Sequence, residues 1–167
     1  MIKVVLVDKK DRMVGRREKY EAHRNPVPLH RAVSVLIFND KGEMLLQKRA
    51  SGKPTWPGFW SNTTCTHPLP GEGFRKAAER RLKEEMGFSV PLTKIGAFIY
   101  KAKYDSTWGE HEYDIVFKGE YSGRVKINKD EAEDYRWIRL DVLRKDLLKN
   151  PEKYTPWFKI ILEKFEF

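Results

Sequence analysis

The chain holds one cysteine, Cys65, two residues before a histidine, His67, in the polar stretch N-T-T-C-T-H. Its neighbours Asn62, Thr63, Thr64 and Thr66 set it apart from the small buried hydrophobe that a free cysteine commonly is. A thiol near a metal and cationic groups is acidified, which makes Cys65 a candidate proton carrier. The next stretch, F-R-K-A-A-E-R-R-L-K-E-E-M-G, predicts a helix over about 73–86, ended by Gly87 as a left-handed stop. At about 100° per residue, Phe74, Ala78, Arg81 and Glu85 fall within roughly 60° of one another, with Ala77 and Leu82 flanking them. The inward stripe of that helix thus begins apolar and ends in Arg and Glu. Charge along a buried line calls for a metal or an anion.

A third group lies further on. In the strand pattern over 111–118 and the residue before it, positions i and i+2 share a face, so Glu110 and Glu112 project together. His111, Tyr113, Ile115 and Phe117 project to the other side. Two carboxylates on one strand face repel and call for a cation. The histidines are His23, His30, His67 and His111. His23 and His30 share a Pro-containing segment, a weak signal alone, and strand geometry leaves His111 out of any set with Glu110 and Glu112.

These residues need a scaffold. Residues 2–8 form a β-branched run closed by D-K-K-D, and 13–19 return from it, a hairpin. The segment E-K-Y-E-A-H-R-N-P-V-P-L-H reads as an ordered loop or edge because of its two prolines. Residues 31–38 are apolar on both alternations and predict a central strand covered on both sides. N-D-K-G at 39–42 is a turn, and E-M-L-L-Q-K-R is the returning strand. Residues 50–55 are a loop. Further strands are expected at 95–104, 111–118 and 135–140. Then come a short helix with Asp141 as N-cap and a last helix with Thr155 as cap and Pro156 at its first position. The result is an α+β fold, a mixed sheet with helices on both faces, in a single domain over 1–167.

Composition narrows the classes. No run of roughly 18 apolar residues is present, so no membrane-spanning helix is expected, and the N-terminus reads as a strand rather than a signal peptide. One cysteine makes no internal disulfide, which fits a reducing cytoplasm. The net charge of +9 is compatible with nucleic acid, an anionic surface or a small polyanionic substrate, or simply with a solvated surface, since Lys and Arg are spread along the chain. No RNP-type aromatic motif or KH-type GxxG loop supports an RNA-binding module.

The stretch from Trp56 to Gly87 resembles the Nudix box, G-x5-E-x7-R-E-U-x-E-E-x-G-U, through Glu72, Arg80, Leu82, Glu84, Glu85, Gly87 and Phe88. Thr66 stands where the first Gly belongs, and Arg81 stands where the box has a metal-binding Glu. That departure, with Trp-Pro-Gly and Cys-x-His-Pro, is similar to the type I isopentenyl diphosphate isomerases, over about Lys19 to Trp157. The resemblance implies a Nudix-type α/β/α sandwich and a shift of an alkene by one carbon, interconverting isopentenyl and dimethylallyl diphosphate. It implies that His23, His30, His67, Glu110 and Glu112 hold one divalent metal; mixed imidazole and carboxylate suits Mn2+ or Zn2+ better than Mg2+. It places a Mg2+ between Glu85 and the substrate diphosphate, and Lys19, Arg49, Lys53 and Arg81 around that diphosphate.

Cys65 and Glu112 are implied on opposite sides of the alkene, one giving a proton and the other removing one. Tyr100 is implied beside Glu112, and the face of Trp157 beside a tertiary carbocation. Trp56 and Trp60 are expected as pocket wall or core. The partner is a small diphosphate, with neither nucleic acid nor membrane, in a monomer or homodimer. The alternative is a Nudix hydrolase acting on a nucleoside or other diphosphate, against which stand Arg81, Cys65 and the histidines.

Overall fold

A computed structural model describes all 167 residues. Nine strands form one sheet. The hairpin is β1 (Lys3–Val7) with β2 (Met13–Glu18), paired antiparallel. A single helical turn, α1 (Lys19–Ala22), then carries the chain towards β3 (His30–Phe38) and β4 (Glu43–Arg49). Two very short strands follow, β5 (Trp60–Ser61) and β6 (Thr64–Thr66), before helix α2 (Phe74–Met86). Strands β7 (Thr93–Lys103), β8 (Gly109–Glu120) and β9 (Ala132–Arg139) precede α3 (Leu140–Lys149) and α4 (Pro156–Lys164).

The centre is β3, as its doubly apolar pattern predicts. It lies parallel to β8, with His30 opposite Glu112 and Phe38 opposite Glu120, and antiparallel to β6, with Ser34 opposite Cys65. A parallel pair needs a long crossover, and the chain from β4 through α2 and β7 supplies it. Alternation divides the core. Val33, Val35 and Ile37 of β3 join Ala77, Ala78, Leu82 and Met86 of α2 in one cluster. Leu36 and Phe38 join Leu143 of α3 and Phe158, Ile161 and Leu162 of α4 in the other. Burying a residue such as Leu82, wholly enclosed, contributes about 1.5–3 kcal/mol. Helices therefore cover both faces of a mixed sheet, the α+β sandwich that the patterns predict.

Gly87 ends α2 at φ 80°, and a Cβ there would meet the Lys126 carbonyl oxygen at 2.8 Å, so both conformation and space demand glycine. Arg80 forks onto Glu72, Nε to Oε1 at 2.7 Å and Nη2 to Oε2 at 2.8 Å, while Glu72 accepts the Leu69 amide. That fork ties α2 to the loop before it and so steadies the segment that carries His67.

Three local expectations differ. Arg139, not Asp141, is the cap residue of α3, without a side-chain cap; Asp141 instead accepts from the Arg139 guanidinium at 3.0 and 3.1 Å. Thr155 is the cap residue of α4 by position, but its hydroxyl lies 2.9 Å from Ser61 Oγ rather than on a helix amide. The segment expected as loop or edge contains α1, capped by the Glu18 side chain on the Glu21 amide at 3.0 Å.

Candidate active site

A cavity of about 700 Å³ opens between the end of the β3–β8 pair, the 50–56 loop and α4. Glu110 and Glu112 of β8 line it, on the face opposite Ile115 and Phe117, which belong to the core under α2. Glu110 and Glu112 therefore share a face, both buried, as expected.

Three imidazoles close on these carboxylates from separate elements: His23 at the end of α1, His30 at the start of β3, and His67 just after β6. One ligand atom from each of the five residues lies within 4.8 Å of all the others. The His23 and His30 Nδ1 atoms sit 2.6 Å from the Lys19 carbonyl oxygen and 2.9 Å from that of Pro28. With those N–H groups donating outward, both Nε2 lone pairs point into the cluster, the second set of contacts that metal-binding histidines use. His23 Nε2 is 3.1 Å from Glu110 Oε2, and His67 Nε2 is 2.8 Å from Glu112 Oε1. His30 Nε2, His67 Nδ1 and Glu110 Oε2 are buried without a hydrogen-bond partner. Orphaned nitrogen and oxygen donors converging at such distances fit a divalent cation.

By themselves, the five groups settle their charges among one another. Burial holds the His67 imidazole neutral, down to about 3, against the pull of Glu112. Burial also opposes a proton on His23, but Glu110 outweighs it and lifts that ring to about 9. Glu112 is buried, yet the neighbouring His30 and His67 imidazoles keep it well below the carboxylate range.

On the same cavity wall stands Cys65. Its thiol donates to Asn62 Oδ1 at 2.9 Å, and Asn62 is oriented by its own amide donating to the Val35 and Thr64 carbonyl oxygens. The Trp157 indole N–H donates to Cys65 Sγ at 2.9 Å and to Ser61 Oγ at 3.0 Å. The acidification expected of this thiol depends on a metal and cations beside it, and the protein groups alone act the other way. Desolvation, and then the charges of Asp114 and Glu112, push Cys65 up to about 12, so the metal-free site holds a neutral thiol. Tyr100 donates to Glu112 Oε2 at 2.6 Å, and burial with the Glu112 charge holds its phenol well above its usual range. Trp56 stands edge-on to Trp157, ring centroids 5.4 Å apart, in the core behind the cavity lining, and Trp60 lies under the Arg136 guanidinium, so of the two readings, wall or core, Trp56 takes the second.

Lys19, Arg49, Lys53 and Arg81 all line the cavity. Arg49 is fixed by donating to the Thr55 and Trp56 carbonyl oxygens, and its guanidinium stands 5.3 Å over the Trp157 ring. Lys53 is paired with Glu131. Arg81 Nη2 lies 2.7 Å from Glu85 Oε1 and 3.1 Å from Glu131 Oε1, and its Nη1 reaches Glu84 at 2.8 Å. Glu85 lines a smaller adjoining cavity of about 20 Å³ and receives the Gln47 amide at 3.0 Å. Burial raises its pKa in spite of Arg81.

Residues that sequence reasoning passed over stand beside this site. Asp114 continues the Glu110–Glu112 alternation, and that periodicity was the signal for it. Burial and the Glu112 charge push its carboxyl well above the usual carboxylate range, and it accepts from Ser34 Oγ at 2.7 Å. Ser34, Asn62 and Glu131 carry no comparable signal, because only the fold brings them to Cys65, Lys53 and Arg81.

The NUDIX domain family matches residues 28–158. An isopentenyl-diphosphate Delta-isomerase 2 of Photorhabdus laumondii is 46% identical, covering 95% of this chain and 89% of its own. The corresponding protein of Aromatoleum aromaticum is 44% identical over 96% of this chain and 85% of its own. Among solved structures, a MutT protein from Methanosarcina mazei superposes with a TM-score of 0.67 at 26% identity, covering 82% of this chain and 92% of that one.

Proposed function

From the premise that this chain belongs to the isopentenyl-diphosphate Delta-isomerases of the Nudix family, we propose a role for each side chain of the cavity. The enzyme interconverts isopentenyl diphosphate and dimethylallyl diphosphate. One proton adds to an end carbon of the alkene, the positive charge rests on the tertiary carbon, and a proton leaves the carbon on the other side. No net proton is consumed.

The diphosphate binds among Lys19, Arg49, Lys53 and Arg81, with Glu85 supplying a carboxylate for the Mg2+ that accompanies it. Cys65 and Glu112 hold the two ends of the proton path. The reaction is reversible, so each gives a proton in one direction and takes it in the other. Asn62 and Trp157 set the direction of the thiol, and Tyr100 sets that of the carboxylate. The ring of Trp157 offers its face to the cationic carbon. The aromatic lining, Tyr100, Trp108 and Trp157, keeps out the water that would trap it. His23, His30, His67, Glu110 and Glu112 hold the second divalent cation, with Mn2+ or Zn2+ suited to that donor set. Bound there, it supplies positive charge that fixes and acidifies Glu112.

The observation that carries this assignment is that Cys65, Glu112 and four cationic side chains line one cavity. Cys65→Ser tests it in heavy water, with deuterium uptake into isopentenyl diphosphate as the readout. Serine keeps the bonds to Asn62 and Trp157 but is a poor proton carrier near neutral pH. Uptake should fall about 10²–10⁴-fold, the usual worth of a general acid or base, while diphosphate binding survives. A folded variant that exchanges at more than about a tenth of the native rate leaves the thiol without a catalytic role.

A further inference from the structure

Glu131 lies in the loop before β9, yet it is not a stray surface acid. Its backbone carbonyl accepts the Ala50 amide at 3.1 Å, at the start of the loop that carries Lys53, and its own amide donates to Asn128. Asn128 in turn donates to the Glu85 carbonyl oxygen at 2.8 Å, at the end of α2. Its carboxylate is thus fastened from both sides, with only 22% of the side chain exposed. One of its oxygens pairs with Lys53 and the other with Arg81 Nη2, so a single internal anion engages two of the four cations that line the cavity. Two oxygens bridging a Lys and an Arg are also what a phosphate group presents. The Lys53 pair and the Arg81 charges hold this carboxylate ionised, down to about 2, although burial works against it.

We propose that Glu131 is a built-in occupant of the diphosphate seat and makes the site select metal-loaded diphosphate over the bare anion. The proposal rests on Lys53 and Arg81 being that seat. A bare diphosphate must break both Glu131 contacts and leaves the carboxylate stranded beside oxygens of its own sign. A diphosphate that carries a divalent cation meets the same carboxylate as a partner in charge. Glu131 is therefore a rival of one ligand and a neighbour of the other, and it determines specificity without touching the alkene. A carboxylate that only kept Lys53 and Arg81 in place would aid both ligands equally.

The test is calorimetric titration of the full chain with inorganic diphosphate, with excess chelator or with Mg2+, for the native protein, Glu131→Gln and Lys53→Met. Glutamine keeps the shape and removes the charge. Glu131→Gln should bind chelator-treated diphosphate about tenfold or more tighter, the scale of one charge-assisted contact no longer broken, and should gain much less with Mg2+. Glu131→Ser, which shortens the side chain, should show the same sign. Unchanged or weaker binding of the bare anion in both variants overturns the proposal. Lys53→Met separates the two layers: if it leaves diphosphate affinity intact, the seat itself is misplaced; if it weakens affinity while Glu131→Gln brings no gain, only the role of Glu131 falls.

Discussion

The neutral thiol of Cys65 can be measured directly, because the chain has no other cysteine. The perturbation is iodoacetamide added to chelator-treated protein at pH 8, with the same protein unfolded in urea as the internal reference. An ordinary thiol of pKa ~8.5 is about one-quarter thiolate at that pH, whereas one held at about 12 is only ~10⁻⁴ thiolate. The ratio is about 2,000-fold. A more basic thiolate is also a better nucleophile, and a Brønsted slope of ~0.4–0.5 over ~3.5 units returns about 25- to 60-fold. The folded protein should therefore react about 40- to 100-fold more slowly than the unfolded chain, before any steric hindrance. The pH dependence is the stricter part of the test. Between pH 7 and about 9.5 the folded rate should keep rising close to tenfold per unit, whereas the unfolded rate should level off above ~8.5. Intact-mass spectrometry against time reads both. A folded rate within about threefold of the unfolded one, or a plateau near 8.5, would show a thiol of ordinary acidity and refute the desolvation account.

Two further outcomes are expected. His67→Ala removes one of five donors and the partner of Glu112 Oε1, so metal content by elemental analysis should fall; undiminished content would sink the five-residue site. Arg81→Ala should raise the substrate KM more than it lowers kcat, since a clamp on the non-reacting diphosphate supplies mainly uniform binding, worth about 1.5–3 kcal/mol. A fall in turnover alone would mean that Arg81 acts elsewhere.

Much of this was legible in the residues because it is periodic. The doubly apolar run at 31–38 fixed the central strand, and the period of two put Glu110 and Glu112 on one face. The period of 3.6 put Arg81 and Glu85 on the inner line of α2, where they form an ion pair. What has no period stayed hidden. Strands β5 and β6 have two and three residues, too few to show alternation, and exist because β4 and β3 offer them backbone partners. The pull of the protein groups on Cys65 stayed hidden for a related reason. Its sequence neighbours are polar, but its electrostatics come from Asp114 and Glu112 across the fold, and no local pattern reports them.

Arg81 shows how far one position can redirect a scaffold. In the Nudix box a glutamate stands there and helps to hold metal. In this chain three carboxylates, Glu84, Glu85 and Glu131, still converge on that place, and what they meet is a guanidinium. Its single positive charge satisfies Glu85, which burial would otherwise leave costly to ionise. An arginine binds phosphate oxygens but offers no coordination site on which water could be activated. The same segment that would serve hydrolysis is thereby left to grip the diphosphate. The donors that fit a divalent cation are instead gathered from α1, β3, β8 and the end of β6, apart from the four cations proposed for the diphosphate. Of the two proposed proton carriers, Glu112 belongs to that second set, while Cys65, two residues from His67, also lines the small cavity with Arg49, Lys53 and Glu85. The thiol thus stands between the proposed phosphate grip and the proposed metal cluster, the position that an alkene tethered to a gripped diphosphate would reach.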